Sequence, residues 1–201
     1  MRIIFTALIA SILMFASTSY ASAEDFDYTE INTFVKHKDS GVTLGYRTYE
    51  NKDKTHFIFR KDFDEKYDGY RAEYRYVENG NLHEHWLRVQ IKAWSQGGYF
   101  YNHRFEHRDR EAKYDVLRYR PQFGYMSQTN YGGLIPFIVF EPHWQHSYKE
   151  KDTSYSHMQT FIGAEYRVLN NFKITPQVEI DLDRNFKKEV AHFVVDFKFE
   201  F

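Results

Sequence analysis

Residues 189–201 read Glu189-Val190-Ala191-His192-Phe193-Val194-Val195-Asp196-Phe197-Lys198-Phe199-Glu200-Phe201, and two interleaved sets alternate through them without a break. Ala191, Phe193, Val195, Phe197, Phe199 and Phe201 fall on one face; Val190, His192, Val194, Asp196, Lys198 and Glu200 fall on the other. Successive side chains of a β-strand point to opposite sides of the sheet. The stretch is therefore a strand with one apolar face, nearly all aromatic or β-branched, and one mostly polar face. A water-soluble sheet lays such an apolar face on a core. A membrane-spanning sheet turns it to lipid.

The same alternation runs backwards through the chain. Phe172, Ile174, Pro176, Val178, Ile180 and Leu182 oppose Lys173, Thr175, Gln177, Glu179, Asp181 and Asp183, and Met158 to Tyr166 oppose His157 to Arg167. Leu117, Tyr119, Pro121, Phe123 and Tyr125 oppose Arg118, Arg120, Gln122 and Gly124. Tyr99 to Phe105, Leu87 to Ala93, Tyr70 to Tyr76, Phe57 with Phe59, and Val42 to Thr48 repeat the pattern. Asn79-Gly80-Asn81 and Gly97-Gly98 supply turns, because Asn and Gly accept positive φ at little cost. Residues His107 to Lys113 read as a charged loop. Leu134 to Tyr148 is ambiguous, since Pro136 and Pro142 each remove a ladder donor. Glu24 to Gly41 reads as an extension or a poorly marked strand, because Ile31, Phe34 and Val35 break the period of two. Ten strands result by direct count, and no helical period of 3.6 appears after the first residues.

Composition favours the membrane alternative. The 201-residue chain is 19% aromatic, with 17 Tyr and 19 Phe, and 27% charged, at a mean hydropathy of −0.68. A transmembrane barrel faces lipid with alternate residues only, so its mean hydropathy stays low while aromatic girdles raise Tyr, Trp and Phe. A spanning sheet must pair every backbone donor and hence must close. Met1 to Ala23 has a short basic start, an apolar run from Ile3 to Phe15 and Ala21-Ser22-Ala23, the anatomy of a cleaved secretory signal. Domain organisation is then a signal peptide over residues 1–23 and an outer-membrane β-barrel over residues 24–201. No cysteine is present, which excludes disulfides and cysteine metal sites. The net charge of −1 gives no bulk case for nucleic acid. No cofactor or metal is implied.

The face opposite the apolar one carries the chemistry. Arg47, Arg71, Arg75, Arg88, Lys92, Arg104, Arg118, Arg120, Arg167 and Lys173 lie in register with it, which makes them pore-lining candidates in a closed barrel. Charges there survive only against water or counter-charges. The guanidinium fork suits carboxylates, and weak exchangeable contacts along a wet lumen would draw anions through. The competing structural reading pairs these groups with Glu73, Glu106, Glu165, Glu179, Asp181 and Asp183, filling the interior as narrow barrels do. Bases dominate Arg47 to Arg120 and acids Glu179 to Glu200, so one wall reads positive and the other negative. Trp86, Trp94, Trp144, Tyr70, Tyr99, Tyr101 and Tyr125 suit interfacial girdles, with sugar stacking on Tyr49 or Phe161 as the sharper alternative. His143 and His146 near Glu141, and His83 and His85 near Glu84, offer acid–base groups without a catalytic signature around them. The chain is therefore expected not to be an enzyme. A barrel enzyme acting on lipid or peptide, a closed adhesive or structural barrel and a soluble lipocalin-like barrel are the alternatives.

A terminal phenylalanine behind alternating apolar residues resembles the C-terminal strand by which bacterial outer-membrane barrels are recognised for assembly. Val42-Thr43-Leu44-Gly45-Tyr46-Arg47-Thr48-Tyr49 with its charged turn Asn51 to Lys54, the Leu117-Arg118-Tyr119-Arg120-Pro121 strand, Tyr166-Arg167 and the closing aromatic ladder together resemble the oligogalacturonate-specific monomeric porins. The resemblance implies a monomeric, twelve-stranded antiparallel barrel whose pore passes acidic oligosaccharides of uronate or sialate type. It implies Arg47, Arg118, Arg120 and Arg167 as pore arginines, and it implies outer-membrane lipid and, through Phe201, the assembly machinery as partners.

Overall fold

The computed structural model describes residues 27–50, 52–63, 70–111, 114–149 and 151–201. The expected signal segment, residues 1–23, lies outside the described residues. Twelve strands follow in order: β1 (Thr29–His37), β2 (Val42–Tyr49), β3 (Lys54–Asp62), β4 (Tyr70–Asn79), β5 (Leu82–Gln96), β6 (Tyr99–Arg110), β7 (Val116–Tyr119), β8 (Gln122–Met126), β9 (Leu134–Ser147), β10 (Asp152–Leu169), β11 (Phe172–Leu182) and β12 (Lys188–Glu200). No helix occurs among the described residues.

Each strand pairs on both of its edges, and the sheet closes on itself. Eleven strands complete the ring, β1 through β7 and then β9 through β12. The twelfth, β8, lies outside that cycle but in line with β7, pairing with the same two neighbours, β6 and β9. The single sequence pattern from Leu117 to Tyr125 thus runs through two strands, interrupted at Arg120-Pro121. Pro121 has no N–H to give to a ladder.

The ring departs from the even count usual in single-chain bacterial barrels. In an up-and-down meander of eleven members, the first and last strands run the same way. Closure is therefore parallel: Thr29 pairs with Phe193, and Lys36 with Glu200. Every other neighbour pair is antiparallel. The chain consequently enters the barrel at one mouth, beside Tyr28, and leaves at the other, where Phe201 packs on His37 at 5.2 Å. These ends are called here the N-mouth and the C-mouth.

Two sequence expectations change in detail. Glu24 to Gly41 contains a full strand, β1, that loses its period because Phe34 faces inward and is buried. Gly45 makes room for it: a Cβ there would come within 2.7 Å of the Phe34 ring. The charged segment after Phe105 remains strand as far as Arg110, so His107 to Arg110 belong to β6 and not to a loop. Leu134 to Ser147 is a strand despite its two prolines.

The outer wall is apolar. Ile31, Val35, Leu44, Tyr46, Phe57, Phe59, Tyr74, Leu87, Val89, Phe105, Phe123, Ile162 and Phe199 are all exposed, and Leu44 reaches 59%. An exposed apolar surface running around the whole sheet is the mark of a lipid-facing barrel. The inward face holds the buried polar groups: Glu30, Thr43, His56, Glu73, Arg75, Arg88, Glu106, Glu141, His143 and His192. No described helix is long and apolar enough to cross a membrane, so it is the strands that present the apolar wall.

Candidate functional site: an ion-paired lumen

All ten candidate residues, Arg47, Arg71, Arg75, Arg88, Lys92, Arg104, Arg118, Arg120, Arg167 and Lys173, occupy inward positions by strand alternation. The fold divides them into groups. Arg75, Arg88, Arg104, Arg118 and Arg120 come together in one lattice at mid-barrel, joined by Arg60 and Arg108. Its backbone is a zigzag of three glutamates and two bridging arginines. Glu73 Oε2 accepts from Arg60 Nε at 2.8 Å, and Glu73 Oε1 from Arg75 Nε at 2.5 Å and Arg88 Nη1 at 3.1 Å. Arg88 also donates from Nε to Glu106 Oε2 at 2.9 Å. Glu106 receives Arg108 Nε at 2.5 Å and Arg120 Nη1 at 3.1 Å. Arg120 passes on to Glu141 through Nη2, and Arg104 Nη1 reaches Glu141 at 2.7 Å.

Glu106 and Glu141 are 0% exposed. Removing a carboxylate from water is costly unless partners replace its hydration. Here each carboxylate is surrounded by two or more guanidinium donors, some from neighbouring strands and some, like Arg75 beside Glu73 and Arg108 beside Glu106, from two positions along its own strand. Seven arginines share three glutamates, which leaves guanidinium groups that must turn to neutral acceptors. Arg118 donates to Gln145 Oε1 at 3.1 Å and 3.0 Å and stands 4.0 Å from Glu106. Arg120 adds Gln159 Oε1 at 2.8 Å and lies 3.1 Å from His143 Nε2.

Arg47 belongs to a second group at the parallel seam. Its Nε donates to Asn32 Oδ1 at 2.7 Å, and its Nη2 stands 3.1 Å from Glu30 Oε1. Asn32 Nδ2 in turn donates to Asp196 Oδ1 at 2.6 Å, so polar side chains tie β12, β1 and β2 together from within. Nearer the C-mouth, Arg71 pairs with Asp62 at 2.7 Å and Lys173 with Glu165 at 3.0 Å. Lys92 also lies toward that end, and Arg167 is exposed there, near the end of β10.

Of the acids expected as counter-charges, Glu73, Glu106 and Glu165 pair with bases, while Glu179 takes Gln159 Nε2 at 2.5 Å. Sequence reasoning missed Arg60 and Arg108. Arg60 was legible from its place opposite Phe57 and Phe59; Arg108 was hidden by reading its segment as a loop. Trp86 departs from the girdle expectation: it faces the lumen, 5% exposed, with the Arg108 guanidinium 3.5 Å from its ring centroid. Its position opposite Leu87 on β5 was the available signal. Trp94 and Trp144 are exposed, as a girdle requires.

Among the described residues no group of three or more His, Asp or Glu side chains is arranged to hold a metal ion. No protein-family model, curated protein or solved structure matches the chain. The geometry alone thus identifies a closed β-barrel with an apolar, membrane-type outer wall and a basic, ion-paired interior.

Proposed function

We propose that this barrel sits in the outer membrane of a bacterium and admits acidic oligosaccharides of uronate or sialate type through its arginine-lined interior. The observation that supports this most is the excess of guanidinium over carboxylate at mid-barrel, where seven arginines share Glu73, Glu106 and Glu141. A substrate carboxylate offers the same paired acceptors as those glutamates. It can exchange for them at Arg118 and Arg120, and Arg47 offers a further contact on the neighbouring wall. No chemical step is assigned to the barrel, which acts as a monomer. The C-terminal strand ending at Phe201 serves as its assembly signal, and deleting Phe201 lowers the yield of barrel in the outer membrane fraction.

A second reading has its own support. Glu106 and Glu141 are wholly inaccessible, and inward side chains are buried on most strands of the ring. Such packing suits a permanently closed barrel that acts through its loops. One experiment separates the two. In planar bilayers the first reading expects a small anion-selective conductance that uronate or sialate oligomers block. Replacing Arg47, Arg118 and Arg120 by Ala reduces that selectivity, with Arg118→Ala alone as the milder variant. Cation selectivity, or silence in bilayers together with no swelling of sugar-loaded liposomes, sinks the transport reading and leaves the closed barrel.

A further inference from the structure

The N-mouth holds an arrangement that the arginine lattice does not use. Tyr28, just ahead of β1, faces inward and stacks on His192 of β12, with ring centroids 4.2 Å apart and planes 19° from parallel. Tyr49 closes the side edge-on at 5.5 Å. Glu179 Oε2 stands 3.3 Å from His192 Nε2, and Asp181 lies two positions along the same face of β11. His192 is 2% exposed, and neither of its ring nitrogens has a hydrogen-bond partner; Asp181 Oδ1 is likewise buried and unpartnered. On the other face of the Tyr28 ring, 3.2 Å from its centroid, sits the Lys52 ammonium, delivered by the β2–β3 turn.

An ammonium held over an aromatic face beside carboxylates is a recognised mode of cation binding. Burial pulls the Lys52 ammonium below the ordinary lysine range, while Asp27, Asp181 and Glu30 pull it back up. Burial and then Glu179 hold the Tyr28 phenol above its ordinary range, so the ring stays neutral under the cation. Glu30 is already engaged by Arg47, which leaves Asp27 and Asp181 as the acids beside the ammonium.

We propose that the N-mouth carries a binding site for a primary ammonium group, formed by the Tyr28 face turned away from His192 together with Asp27 and Asp181, and that Lys52 occupies it as a tethered ligand. The ligand class is an amino-bearing solute. Arg47 donates toward the Tyr49 hydroxyl at 3.5 Å, so a solute with both an amine and a carboxylate finds partners for each at this mouth. The site is independent of transport: a barrel that conducts nothing can still bind an amine here.

A lysine on a short turn competes at an effective concentration on the order of millimolar. Its removal therefore exposes the cup to free amines. The test is calorimetric titration of ethylammonium chloride into the full barrel in nanodiscs, with sodium chloride at matched ionic strength as reference. Heat-modifiable migration on gels verifies folding of each variant. Lys52→Ala should bind ethylammonium at least about twofold more tightly than the unaltered chain, and Lys52→Ala combined with Tyr28→Leu should lose that binding. Equal affinity with and without Lys52, no binding by folded Lys52→Ala, or binding that survives loss of Tyr28 overturns the proposal.

Discussion

Two arcs of the lumen face each other and differ in how completely their charges are used. Across β4 to β9, Glu73, Glu106 and Glu141 each accept from several arginines, and Arg88 and Arg120 link them into one chain. Across β11 and β12, Glu179 accepts from Gln159 and stands 3.3 Å from His192 Nε2, while neither His192 nitrogen nor Asp181 Oδ1 makes a hydrogen bond. The first arc is a lattice in which each carboxylate is shared by two or more arginines, with Arg104 Nε and His143 Nδ1 left without a hydrogen bond. The second is an open arrangement to which the β2–β3 turn brings the Lys52 ammonium. Saturated networks hold a fold together, whereas unsatisfied buried groups are where binding energy remains to be gained.

Removing a node of the ion-paired arc gives the largest effect. Glu106→Ala leaves Arg88, Arg108 and Arg120 facing one another with no carboxylate between them, and breaking a buried pair in this way costs about 3–5 kcal/mol. Urea titration of the reconstituted barrel measures it. A loss smaller than about 1 kcal/mol would show that water already reaches these arginines and that the lattice is loose. The corresponding test on the open arc, His192→Phe, is expected to be mild. His192→Phe keeps the stack on Tyr28 and deletes no hydrogen bond, so stability should change by less than about 1 kcal/mol. A loss comparable to that of Glu106→Ala would erase the distinction between the arcs.

The smallest effect lies at the turn that joins β11 to β12 at the N-mouth. The Asp183 carboxylate accepts from the backbone N–H groups of Asn185 and Lys187, each at 2.8 Å. Those bonds hold its carboxyl below the usual aspartate range. A depressed carboxyl contributes order above the ordinary aspartate value and loses it as pH falls through the lowered one. Hydrogen exchange at Asn185 and Lys187, corrected for intrinsic rates, should therefore speed up only in acid. In Asp183→Asn that dependence should flatten. An unchanged profile would place the order of this turn in its backbone instead.

The sequence carried more of the fold than of the site. Alternation in Glu189 to Phe201 and through the other patterned segments determined that the protein is a sheet with an apolar and a polar face. Side-chain direction in a strand follows residue parity alone. The same parity placed all ten candidate basic residues on the inner wall. It could not register β1, because Phe34 packs inward over Gly45 and breaks the pattern by a contact made across strands. Nor could it show the break at Pro121, since β7 and β8 keep a common parity.

What only the tertiary structure decided is which charges meet. Arg47 and Arg120 look equivalent along the chain, yet one braces the parallel seam with Glu30 and the other bridges Glu106 to Glu141. Parallel closure itself depends on the parity of the ring: a strand added or removed would return both termini to one mouth. The aromatic cup likewise brings together Tyr28, Lys52 and His192 from three separate parts of the chain. Strand periodicity is local and is written in neighbouring residues. Ion pairing and closure depend on register between distant strands, and that is set only when the sheet meets its own edge.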